Sequence, residues 1–366
     1  MHSIAVAALV ALGPLVAPVD GAIVTPPKHK YLTLPEILQR MEASPVHYVL
    51  HTLDKLEDVP QDSLKDQIWP QIVEPVDLPK VGRGASGRFD VSAWPAKPEA
   101  LEANEAAEEL FKNKDLEGAA KKYREAIAAD PDFYIAYANL GDCLLFGARD
   151  PKAALVQYEK ALKLNPDDYR LHFYRGNTLL ALGRKGEAVE EFVTSLVLKP
   201  RNPILISKLR SEGSKLGIRV QGELLDPWGF ARREGEAVAA YSDPKKPGWL
   251  GWASCKAFWI GEPSHRKEMT GSTDEGWSTT EDLECMVALI SAHLVTVEKD
   301  LGKADPAVQQ LESVLKDGLA SAFVVYELGS RLDPQITLKI ERSFHPTLRK
   351  YIRKYVLGLG GGGGQK

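Results

Sequence analysis

The sequence predicts an all-α protein, an α-solenoid of about three helical hairpins plus a capping helix, followed by a second, mainly helical domain. Three observations carry this. A twelve-residue string is written three times, as KKYREAIAADPD (121 to 132), QYEKALKLNPDD (157 to 168) and EFVTSLVLKPRN (191 to 202). Tyr123, Tyr158 and Phe192 fall in register, as do Ala126, Ala161 and Ser195, and Pro131, Pro166 and Pro200, with steps of 35 and then 34 residues. A fixed period of that length marks stacked helical units. Residues 218 to 358 place apolar side chains at three- and four-residue steps, the helical period. Prolines crowd the segment from 23 to 99, where helices must be short.

In chain order, MHSIAVAALVALGPLVAPVDGA (1 to 22) holds an apolar run from Ile4 to Val16 followed by small residues, the pattern of an export signal rather than of a membrane span. That makes the protein periplasmic or secreted. Because the stretch before the run offers His2 but no Lys or Arg, an uncleaved end on a cytoplasmic chain is the alternative. In residues 23 to 99, Thr33 is placed to cap a helix with Pro35 in its first turn, and Val46 to Leu56 reads as a second amphipathic helix. KVGRGASG (80 to 87) reads as a loop.

The region from 100 to 217 carries two helical patterns per period. In the middle copy FYIAYANLGDCLLFGA is the first helix and PKAALVQYEKALKLN the second, with a turn at Asp150 and Pro151 and a stop at Pro166. ILISKLRSEGSKLG after Pro203 supplies the capping helix. Within 218 to 358, helices are expected in DPWGFARREGEAVAAYSD, in WLGWASCKAFWIGE, from Thr280 to Leu301, over 306 to 332 and over 345 to 357. The glycine run in 359 to 366 predicts a disordered tail.

Composition excludes several function classes. A net charge of −4 provides no broad basic face for nucleic acid. Three cysteines, none in a CxxC spacing, exclude a thiolate metal cluster. Cys255 and Cys285 either pair or remain as two buried thiols. His47 and His51 stand four apart, one helical turn, but lack the glutamate of an HExxH site. There is no GxSxG elbow, no GxGxxG fingerprint and no P-loop, so no catalytic residue, metal or cofactor is assigned.

The repeat resembles the tetratricopeptide family. Its offsets are filled in the middle copy by Tyr137, Leu140, Gly141, Leu144, Ala154, Tyr158, Ala161 and Pro166, and in the third by His172, Gly176, Leu179, Ala188, Phe192, Ser195 and Pro200, with Arg175 where the family has Leu. The first copy has Ala107 for Gly, then Leu110, Ala119, Tyr123, Ala126 and Pro131. The resemblance implies a curved array whose first helices line a groove for a partner's peptide or helix. Carried over by position, that groove presents Leu101, Asn104, Glu108, Ile135, Ala138, Asn139, Asp142, Arg170, Phe173 and Asn177. A clamp for a C-terminal carboxylate, found in one branch of the family, is not expected, because Asn104, Glu108 and Tyr174 replace three of its positions.

These readings make the protein a non-enzymatic scaffold that binds another protein through the groove, with its oligomeric state open. The rival is an envelope enzyme or polysaccharide-binding module in the C-terminal half, where Trp228, Trp249, Trp252, Trp259 and Trp277 lie close in sequence and Glu262, His265, Asp274 and Glu275 could converge in a loop. Core packing is the alternative use of those rings. Lys339, Arg342, Arg349, Lys350, Arg353 and Lys354 form a basic stripe, either a contact for envelope polymer or anionic lipid or a solvated face.

Overall fold

A computed structural model describes residues 30–53, 64–85, 87–222, 225–274 and 276–359. The expected export signal, the glycine run from 360 and Glu275 lie outside the described residues. In chain order the elements are α1 (Leu34–Ala43), β1 (His47–Thr52), α2 (Leu64–Ile68), β2 (Pro79–Arg83), β3 (Phe89–Ala93), α3 (Pro98–Lys112), α4 (Leu116–Ala129), α5 (Tyr134–Asp142), α6 (Pro151–Leu164), α7 (Tyr169–Ala181), α8 (Lys185–Leu198) and α9 (Pro203–Glu212). They continue with β4 (Gly229–Glu234), β5 (Ala237–Ser242), α10 (Trp249–Gly261), α11 (Pro263–Thr270), α12 (Thr279–Glu298), α13 (Pro306–Lys316), α14 (Ala320–Phe323), α15 (Ser330–Leu332) and α16 (His345–Tyr351). Helix dominates and the class is all-α, with two small sheets. Among the described residues no helix is long and apolar enough to cross a membrane.

The chain forms two compact units, each made of two separated stretches: Met1–Ile72 with Leu224–Leu332, and Val73–Glu223 with Asp333–Lys366. The C-terminal stretch from 218 to 358, expected as one domain, is therefore divided between them. Long-range pairing causes this, and local periodicity does not report it.

The unit containing Val73–Glu223 holds three helical hairpins, α3–α4, α5–α6 and α7–α8. The second and third are closed by the contact that the glycine and aromatic offsets encode, and in the first Ala107 shares a cluster with Tyr123. A Cβ on Gly141 would lie 2.8 Å from the Tyr158 ring, and one on Gly176 would lie 2.6 Å from Phe192, so only glycine lets these rings press against the first helix. Asp115 and Asp150 cap the second helices by accepting backbone N–H groups of Gly118, Lys152 and Ala153. Asp130 and Asn165, each before a proline, are extended and end those helices.

The middle hairpin contains one residue more than its neighbours: Gly141 precedes Tyr158 by 17 positions, whereas Gly176 precedes Phe192 by 16. A π-turn at Cys143–Gly147 absorbs it, with Ala148 N–H donating to Cys143 O five residues back. The far end of the array is covered by α9, which buries Leu205 and Leu209, and also by the chain's C-terminal segment. There Thr337 donates to Leu198 O, Arg349 pairs with Glu190 at 2.7 Å, and Arg219 and Gln221 donate to the carbonyls of Leu357 and Val356. At the other side lies an antiparallel hairpin, β2–β3, where a loop was expected over 80 to 87. Gly87, at φ +76°, turns it.

In the other unit β5 is central, pairing in parallel with β1 and antiparallel with β4. Two expectations are corrected here. Residues 46 to 56 were expected to be helical, but His47–Thr52 is a strand whose partner lies at Ala237–Ser242. DPWGFARREGEAVAAYSD was also expected to be helical, but it folds as β4–β5 around Gly235 at φ +63°. The helix expected over 306 to 332 breaks after Lys316, and Gly318 takes φ +70°. Helices α10 and α12 form the core of this unit, joined by a disulfide between Cys255 and Cys285. Gly251 allows their close approach, since a Cβ there would strike the backbone of Ala288.

Candidate functional site: the inner face of the repeats

The groove positions fall on α3, α5 and α7, the first helix of each hairpin, but their environments differ. Ile135 and Ala138 are buried in the hydrophobic cluster with Tyr134 and Tyr158. Phe173 is half-buried against Tyr174 and Phe192. Leu101 remains exposed.

Arg170, the cation among these positions, is engaged. Its Nε and Nη2 donate to Asp168, the latter at 2.6 Å, and its Nη1 donates to Asp77 at 2.9 Å. Burial opposes its charge, but these carboxylates hold its pKa above the ordinary arginine value. Asp168 is fully buried and also accepts from the Tyr134 hydroxyl at 2.7 Å. The β2–β3 hairpin closes the same corner, with Trp94 edge-on to Tyr134 at 4.8 Å and Pro79 O accepting from Asn165 Nδ2.

A polar row remains. Asn139 Nδ2 donates to Asn104 Oδ1 at 3.1 Å, and Asn104 Nδ2 donates to Glu108 Oε1 at 2.8 Å, linking α5 to α3. Tyr158 donates to Asp142 Oδ1 at 2.5 Å. Burial pushes the Asp142 carboxyl up to about 6, partly opposed by the Tyr158 hydrogen bond. Asn177 Oδ1 is buried without a hydrogen-bond partner.

Among the described residues of the rival site, Glu262, His265 and Asp274 are each engaged by different partners. Glu262 accepts from Tyr48 at 2.8 Å and from Ser44, whereas His265 pairs with Glu284 at 2.7 Å. The backbone carbonyl of Asp274 accepts from Arg266 and its N–H donates to Ser272 Oγ. Trp249, Trp252 and Trp259 are core residues. In the basic stripe Lys339 pairs with Asp333, Arg342 with Asp167, and Arg349 and Arg353 with Glu190. Among the described residues no group of three His, Cys, Asp or Glu could hold a metal, and His51 stacks on Tyr241.

Sequence reasoning missed a buried charge network. Glu281, Asp282 and Glu284, within the first two turns of α12, meet Lys256, Arg266 and His265. Lys256 Nζ donates to Glu281 at 2.9 Å and to Asp282 at 2.6 Å, and the indoles of Trp69 and Trp277 donate to Asp282. The available signal was the acid run at 281, 282 and 284 inside an otherwise apolar helix.

A family model described as tetratricopeptide repeat matches residues 104–145 and 144–203. No curated protein matches the chain. Among solved structures, the first TPR of Spaghetti (RPAP3) bound to HSP90 peptide SRMEEVD is 24% identical, covering 32% of this chain and 94% of that one, with a TM-score of 0.31. The Arabidopsis OM64 TPR domain is 24% identical over 31% of this chain and 95% of its own, with a TM-score of 0.29. The TPR2B domain of yeast Sti1, in a pHsp70 complex, is 21% identical over 33% of this chain and 94% of its own, also with a TM-score of 0.29.

Proposed function

We propose that this chain, in which residues 104–203 are tetratricopeptide repeats, is an exported, non-enzymatic scaffold that holds a segment of another protein against the inner face of α3, α5 and α7. One observation carries the reading. The polar row Glu108, Asn139, Asp142 and Asn177 lies along successive first helices, and within it the buried Asn177 Oδ1 has no hydrogen-bond partner. Buried polar atoms left without partners are costly, and a bound backbone would supply the missing donors. The Cys255–Cys285 disulfide supports export, since such bonds persist in oxidising compartments.

The test is affinity capture from the native source with the full chain and with an Asn139→Ala, Asn177→Ala variant. Loss of the main captured protein from the variant is expected. Equal capture by both removes the inner face as the binding surface. Export is tested separately by thiol alkylation of the native protein, where protection of Cys255 and Cys285 until reductant is added is the expected result.

A further inference from the structure

The inner face is chemically one-sided. Glu108, Asp142 and Asn177 occupy the same repeat offset on α3, α5 and α7, separated by 34 and then 35 residues. All three present acceptor oxygens. The amides of Asn104 and Asn139 donate to Glu108 and to Asn104, and the Tyr158 hydroxyl is held by Asp142. The cation at a groove position, Arg170, is neutralised by Asp168 and Asp77. On α3, Lys112 is paired with Glu109 at 2.7 Å, while Glu102 and Glu105 add negative charge beside Glu108.

We infer that this face selects a basic segment of a partner protein, one with two Lys or Arg side chains three residues apart in an extended backbone, and not an acidic C-terminus. The inference rests on the groove reading above. Packed helices lie about 8 to 10 Å apart, which sets the separation of the Glu108 and Asp142 rungs. In the polyproline-II form of an extended backbone three residues make one turn of about 9 Å, so positions three apart share a face and match that separation. The third rung, Asn177, is uncharged and accepts a backbone N–H. Asp142 is faced by Tyr158 from α6, by Tyr174 from α7, and by Tyr123 from α4 with Glu108 from α3 beyond it. Its carboxyl, raised to about 6 by burial, has no Lys or Arg acting on it. An incoming ammonium or guanidinium supplies the missing countercharge.

The test is fluorescence anisotropy of the full chain with three labelled nonapeptides of Ala and Ser: one carrying Lys at its fourth and seventh positions, one with Glu at those positions, and one ending in two acidic residues and a free carboxylate. The lysine peptide is expected to bind at least about tenfold more tightly than either acidic one, with an affinity that falls as salt rises. Its affinity should also fall as pH is lowered through about 6. Glu108→Gln with Asp142→Asn should lose about tenfold and become pH-independent, and Glu108→Lys, at an exposed site, should favour the acidic peptides. Equal or tighter binding of an acidic peptide, no binding of the lysine peptide, or an unchanged double variant overturns the inference. If the captured partner crosslinks to α5 and α7 through a segment without Lys or Arg, the charge selection fails and the groove reading stands. Crosslinks elsewhere sink both.

Discussion

The repeat array and the α10–α12 core place charge in opposite ways. In the array, polar side chains of the first helices are linked to each other, Asn177 Oδ1 is buried without a partner, and the Asp142 carboxyl has no cation acting on it. In the α10–α12 core, three buried carboxylates meet two permanent cations and a histidine, with indole and backbone donors filling remaining positions. The difference teaches where to look for recognition. Carboxylates matched by buried cations hold one packed arrangement even though His265 Nδ1 and Arg266 Nε lack hydrogen-bond partners, whereas acidic groups without a cation are open to one from outside.

The largest effect should come from breaking the closed network. Lys256→Met leaves the Asp282 and Glu281 carboxylates short of a cation in a dry interior, and the expected cost is about 3 to 5 kcal/mol in denaturant unfolding. A cost under about 1 kcal/mol would show that the network relaxes as easily as the array's row. Next is the disulfide. Reducing Cys255–Cys285, 30 residues apart, or replacing both by Ser, should lower the stability of the same unit by about 3 kcal/mol and leave the array unaffected. In the array, Gly176→Ala sets a methyl group 2.6 Å from the Phe192 ring. The overpacking cost, about 1 to 3 kcal/mol, exceeds the gain of up to about 1 kcal/mol in helix propensity, so a lower melting temperature is expected.

The smallest effect sharpens the comparison by sign. The folded pKa of Asp142 lies above its ordinary value of 3.8, at about 6, so burial favours the neutral form. That contribution is full below pH about 4 and is lost as pH rises through about 6. Asp142→Asn should therefore be up to about 2 kcal/mol more stable than the native chain at pH 8 and no more stable at pH 4, read from unfolding curves across that range.

Much of the array was legible because its determinants are local. Gly141 and Tyr158, Gly176 and Phe192, and the prolines ending each hairpin lie within one period of one another. The two strands β1 and β5 were not legible, because His47–Thr52 finds its partner near residue 240, and a His47-to-His51 spacing fits a helix and a strand alike. For the same reason the hairpin of β2 and β3 read as a loop: its glycines dominate the local signal, while its anchor is Asn165. The groove positions were legible as places on helices but not as environments. Asp168, two residues before Arg170, hinted that this cation is held internally, whereas Asp77, the second partner, is 93 residues away.

The π-turn at Cys143–Gly147 implies an elastic joint. Ring-to-glycine stacking, not a rigid residue count, keeps neighbouring hairpins aligned, so one surplus amino acid is taken up by widening a single coil. Length changes at that bend should be forgiven, and the same insertion inside α6 or α7 would rotate every later side chain off its partner.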